Sequence, residues 1–81
     1  MIDVRSTILG LIREIAPEAD LEHLDGAAAL RDELDLDSMD ALNLLTAIAG
    51  TLGVEVPERD EGQTRTLDSL VAYVTAHLPA T

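Results

Sequence analysis

The interior of this chain has to be built almost entirely from aliphatic side chains. Phe, Trp and Cys are absent and Tyr73 is the sole aromatic residue, although 47% of the residues are apolar. Leu, Ile, Val and Ala in such excess favour packed helices, provided that they recur at helical spacing. With 81 residues, a single domain over 1–81 is expected, with one modest core and no room for the deep cleft of a large enzyme. Without cysteine, neither a disulfide nor a thiolate metal site can reinforce it.

The helical spacing is there. Val4, Ile8, Leu11, Ile12 and Ile15 make one stripe, with Asp3, Arg5, Arg13 and Glu14 off it, so an amphipathic helix over Asp3 to Ile15 is predicted. Pro17 stops it by disfavouring helical geometry in the residue before. Residues Ala16 to Leu36 form a long, weakly periodic connection, with Leu21, Leu24, Leu30 and Leu34 as anchors that pin it to the core and a helical turn around Ala27 to Leu30. A second helix is predicted from Ser38 to about Leu52, burying Leu42, Leu45, Ile48, Ala49 and Leu52 with Leu44 beside them, and Gly53 ends it. Pro57 starts a short turn through Glu58 to Glu61, ended by Gly62 and Gln63. Thr66 caps a last helix bearing Leu67, Leu70, Val71, Val74 and Leu78, terminated by Pro79. The expected fold is all-α, a small four-helix bundle of three main helices and one short one behind a long first loop.

Sixteen acids face five arginines, and no lysine, for a net charge of −11. Nine of the acids, from Glu18 to Asp40, crowd one stretch of 23 residues. Such a surface repels nucleic acid and anionic membranes and steers basic partners toward it. Met1-Ile2-Asp3-Val4-Arg5 lacks a signal-peptide pattern, and no apolar run is long enough to span a bilayer. A cytoplasmic monomer with no membrane insertion is expected.

The chemistry concentrates in Leu34-Asp35-Leu36-Asp37-Ser38-Met39-Asp40. On its own, Asp37-Ser38 with Asp40 reads as a helix cap and a shortened capping box. A nucleophilic Ser38 would need a base in reach, and the candidates are His23 in the loop and His77 near the last helix's end. There is no Gly-x-Ser-x-Gly elbow. A calcium loop read from Asp35 fails, because Asp40 and Thr46 stand where glycine and glutamate are required. No catalytic or metal-binding residue is assigned. What remains is a serine offered to another protein's active site. A helix N-terminus favours a phosphate group there, and the flanking carboxylates suit recognition by a basic modifying enzyme.

In this order the residues resemble an acyl carrier protein of the phosphopantetheine-binding carrier superfamily. The resemblance spans nearly the whole chain: the first amphipathic helix, the leucine-pinned loop, Asp37-Ser38-Met39-Asp40, Val54-Glu55-Val56-Pro57, and Thr66-Leu67-Asp68-Ser69-Leu70. It implies that Ser38 carries 4′-phosphopantetheine as a phosphodiester, installed from coenzyme A by a magnesium-dependent phosphopantetheinyl transferase. The arm's thiol then holds acyl groups as thioesters, so the chain is a carrier and substrate of other enzymes rather than an enzyme. It further implies that Asp35, Asp37 and Asp40 meet basic docking patches on the transferase and on acyl-loading and acyl-transferring enzymes. Met39 and Leu42 supply the apolar part of that contact, and Leu44, Leu45, Ile48 and Val71 an interior that can shelter an acyl chain.

The chain also departs from the housekeeping carriers of fatty acid synthesis. These have glutamates along the second helix, where this chain has Asn43, Thr46, Ala47, Ala49, Gly50 and Thr51. Asp35 replaces the glycine common two residues before Asp-Ser. Charge contacts set partner choice more than fold, which points to a specialised carrier of lipid or secondary-metabolite biosynthesis. An aminoacyl or peptidyl carrier is the alternative with the same fold and the same Ser38. A helical interaction module with Ser38 as a mere cap is the reading from another class.

Overall fold

The computed structural model describes residues 3–79; the expectation placed on Met1 and Ile2 lies outside them. Helix α1 spans Val4–Ile15, α2 Leu30–Leu34, α3 Ser38–Leu52 and α4 Leu67–Ala76, with 3-10 turns at Leu21–His23 and Glu58–Thr64. The architecture is the expected all-α bundle: α1 packs on α3 and α4, and the Glu58–Thr64 turn packs on α4 as the short fourth member.

Each long helix has a defined start. Asp3 caps α1, accepting the Ser6 backbone N–H at 3.1 Å and the Ser6 hydroxyl at 2.9 Å. The Ser6 backbone N–H above all, then its hydroxyl, hold the Asp3 carboxyl below its ordinary 3.8. Thr66 caps α4 in a capping box with Ser69. At the far end of α3, Gly53 adopts φ 72° and returns its N–H to the Ala49 carbonyl at 3.0 Å, the left-handed stop that glycine makes without a Cβ penalty.

The long loop is tied down as its leucines suggest, since Leu30 is buried and Leu21, Leu24 and Leu34 pack on the core. Its helical turn falls at Leu30–Leu34 rather than Ala27–Leu30. Ala29 is held extended by an antiparallel bridge to Thr66, and the Leu30 N–H donates to the Arg65 carbonyl at 2.8 Å. The helix therefore starts only after this tether. Gly26 lies against α4, where the Asp68 N–H donates to its carbonyl at 3.0 Å.

Two other boundaries move. The turn after Pro57 runs through Gly62 and Gln63 to Thr64 instead of ending at them. Side chains sustain it: Gln63 Nε2 donates to Asp60 Oδ1 at 3.3 Å and the Thr64 hydroxyl to the Glu61 carbonyl at 3.0 Å. Helix α4 ends at Ala76, so Leu78 packs on the core from beyond the helix and Pro79 follows a stop already made.

The core is the aliphatic seam the composition demands. Val4, Ile8 and Ile12 of α1 meet Leu44, Ile48 and Leu52 of α3 and Leu67, Leu70 and Val74 of α4, with Val54 and Tyr73 alongside. On α3 the buried stripe runs through every fourth residue, and its leading residue is Leu44. Leu42, expected inside, is 54% exposed, and Leu45 and Ala49 sit at the boundary. Among the described residues no helix is long and apolar enough to cross a membrane.

Candidate functional site

Three elements build the site at the start of α3. The last turn of α2 closes on Asp35, which adopts the left-handed conformation (φ 53°, ψ 44°). The Arg31 carbonyl accepts the Asp35 N–H and, at 2.9 Å, the Leu36 N–H, so the chain reverses within three residues. Asp37 then caps α3: its carboxylate accepts the Asp40 N–H at 2.8 Å, and Asp40 reaches back to the Asp37 N–H at 3.5 Å. Together they form the reciprocal capping box. The cap is thus Asp37, and Ser38 is the first helical residue, exposed to solvent.

The Ser38 hydroxyl accepts a hydrogen bond from Arg31 Nη2 at 3.3 Å. Arg31 Nε also makes a long, 3.5 Å bond to the Leu36 carbonyl. Arg31 carried no signal in the sequence beyond being the lone cation between Glu18 and Asp40. Its place beside Ser38 depends on the reversal at Asp35, which no periodicity reports.

Neither histidine serves Ser38. His23 Nδ1 lies 2.6 Å from Asp20 Oδ2, a contact that draws the Asp20 carboxyl below its ordinary 3.8. His77 stacks on Tyr73 with ring centroids 4.1 Å apart and bonds the Tyr73 carbonyl. Among the described residues no group of His, Cys, Asp and Glu is arranged to hold a metal ion.

The pattern Asp-Ser-apolar occurs twice, at Asp37-Ser38-Met39 and at Asp68-Ser69-Leu70, and the structure separates the two. The Ser69 hydroxyl is half-buried, donates to the Thr66 carbonyl at 3.1 Å and serves the α4 cap, while Asp68 pairs with Arg5 at 3.1 Å. The third serine, Ser6, donates its hydroxyl to Asp3. Among the described residues, Ser38 is the serine whose hydroxyl is not donated to a protein acceptor.

Ser38 lies at the edge of an open cleft of about 870 Å³ between α2, α3 and the segment leading into α4. Leu36, Ala41, Leu42, Leu44, Leu45 and Leu70 supply its apolar lining, and Arg31, Asp32, Asp35 and Arg65 its charged rim. Of the residues expected to shelter a cargo, Leu44 and Leu45 line this cleft. Ile48 is wholly enclosed in the core and Val71 lies half-buried against it, both outside the lining. Of the residues expected to meet partners, Asp35, Asp37, Met39 and Leu42 are exposed and Asp40 is partly so; Met39 is 63% exposed. After Asp40 the solvent face of α3 is neutral, with Leu42, Asn43, Thr46, Gly50 and Thr51.

Known proteins bear on this arrangement directly. The family model described as the phosphopantetheine attachment site matches residues 6–74. The chain is 29% identical over 79 residues to the acyl carrier protein of Rubrobacter xylanophilus, covering 94% of this chain and 98% of that one. It is 38% identical over 68 residues to D-alanyl carrier protein 2 of Lactiplantibacillus plantarum, covering 79% and 82%. The chain belongs to the phosphopantetheine attachment family. It is a carrier whose cofactor is 4′-phosphopantetheine, and it serves as a substrate of other enzymes rather than as an enzyme.

Proposed function

We propose that Ser38 is the attachment point and that the chain presents acyl thioesters on the arm to partner enzymes of lipid or secondary-metabolite biosynthesis. The observation that carries this is the exposed Ser38 hydroxyl at the edge of an apolar cleft, while Ser6 and Ser69 are committed to helix starts. When bound, the cofactor supplies the thiol that the cysteine-free chain lacks. The chain's own residues expose the hydroxyl, orient it through the rigid cap, and offer Leu44 and Leu45 toward a cargo.

Partner recognition falls to Asp35, Asp37 and Asp40, with Met39 and Leu42 as apolar contacts for a phosphopantetheinyl transferase and for enzymes with small basic patches. The neutral face of α3 beyond Asp40 supports a specialised carrier, because long-range attraction then centres on the Ser38 loop. A cytoplasmic monomer goes with this reading.

The D-alanyl carrier relative, with its higher identity, favours a second reading in which the thioester holds an aminoacyl group. Incubation with coenzyme A and a broad-specificity transferase should raise the mass by one phosphopantetheine, and Ser38→Ala should abolish the gain. A gain that survives this substitution would move the site. Loading the modified protein with acyl and amino acids in turn decides between the cargoes.

A further inference from the structure

Arg31 is a cation that leaves its nearest acidic neighbours alone. Asp32 and Glu33 follow it directly and Asp35 lies one turn on, in the most acidic part of the chain. Yet the ion pairs among the described residues are Arg5–Asp68 and His23–Asp20. Arg31 gives its guanidinium to the Leu36 carbonyl and to the Ser38 hydroxyl instead. Its own carbonyl accepts two N–H groups from the reversal that leads into Ser38. Backbone and side chain therefore both tie Arg31 to the segment that sets the serine.

We propose that Arg31 is the positioning residue for the modified serine: its guanidinium engages the phosphodiester anion and orients the arm along the cleft beside α2. The inference rests on Ser38 being the attachment site. Its physical basis is complementarity. A guanidinium presents a planar fork of donors suited to phosphate oxygens, and such charge-assisted bonds are about twice as strong as neutral ones. The anion would otherwise be added among Asp35, Asp37 and Asp40, whose charges oppose it. No other arginine is placed for this task in the same way. Arg5 is paired with Asp68, Arg13 and Arg59 lie outside the cleft lining, and Arg65 sits on the rim without a bond to Ser38.

The test is phosphorus NMR on the modified protein, with complete modification first verified by mass. In the wild type, the Arg31 side-chain N–H resonances should shift and exchange more slowly with water after modification. Arg31→Gln should move the phosphodiester resonance and broaden the range of arm orientations seen in nuclear Overhauser contacts to Leu36 and Leu45. Arg31→Lys, which keeps the charge but not the fork, should fall between. Arg13→Gln, an equal loss of charge on an exposed face of α1, should leave the resonance in place. Full modification with superimposable phosphorus spectra for wild type and Arg31→Gln overturns the role of Arg31 alone. Failure of the wild type to gain mass overturns the assignment of Ser38 and this inference with it.

Discussion

The Tyr73 hydroxyl donates to Asp60 Oδ2 at 2.7 Å, joining the Glu58–Thr64 turn to α4 with the only aromatic side chain in the protein. The ring itself is buried, so the bond lies at the edge of the core. This bond adds to the packing on α4 of the turn whose Glu61, Gly62 and Thr64 wall one side of the Ser38 cleft.

The Asp60 contact, reinforced by desolvation, raises the Tyr73 hydroxyl above its ordinary 10.0. The folded chain therefore keeps this proton longer than the unfolded one. Its contribution to stability is fully present below pH 10.0 and is lost as the pH climbs through the higher folded value. Thermal melts across that range should show an alkaline decline in the wild type. Tyr73→Phe should melt lower at neutral pH and lack the part of the decline due to Tyr73. Parallel declines in the two proteins would remove Asp60 as the cause.

Asp35 holds a left-handed backbone at φ 53°, a conformation that glycine adopts freely. That conformation costs most side chains about 1–2 kcal/mol, and Asp and Asn tolerate it best. Asp35→Gly should change the urea-unfolding free energy by less than about 1 kcal/mol, since relief of the Cβ offsets chain entropy. A β-branched residue there should cost more than about 1 kcal/mol. Asp35→Asn keeps the turn but removes the charge, so a raised KM for the transferase would isolate recognition from geometry.

Much of this was legible in the residues because it rests on local rules. Pro17, Gly53 and Thr66 mark helix ends by backbone geometry that neighbours cannot overrule. Ser38 opens α3 as expected because Asp37 and Asp40 cap each other. What escaped was set by distant contacts. The late start of α2 comes from the bridge between Ala29 and Thr66, and Arg31 meets Ser38 only after the reversal at Asp35. The rotation of the α3 stripe from Leu42 to Leu44 is a third case. The five apolar residues from Leu42 to Ile48 (Leu42, Leu44, Leu45, Ala47 and Ile48) cannot all face inward, and the period alone does not say which do.

Asp37 combines a structural bond with a charge beside Ser38. Asp37→Ala should lower stability by about 1 kcal/mol through the lost cap, whereas Asp37→Asn should cost little. Both remove the carboxylate. If docking depends on that charge, the two variants should show the same rise in transferase KM despite unequal stability. A KM rise confined to Asp37→Ala would assign the effect to fraying of the helix start.

The rotated stripe on α3 makes a sharper division between two residues six positions apart. Ile48 is completely buried, and truncating it leaves a cavity between α1, α3 and α4; Ile48→Ala should cost about 2–5 kcal/mol in chemical unfolding. Leu42 is 54% exposed and borders the Ser38 cleft, so Leu42→Ala should shift stability by no more than about 0.5 kcal/mol. On the proposal that Ser38 is the attachment point, its effect should appear instead as slower transfer to and from the arm by partner enzymes, the exposed leucine then serving docking rather than folding. Were Leu42→Ala to destabilise as Ile48→Ala does, Leu42 would belong to the core after all, and the apolar part of the proposed docking surface would reduce to Met39.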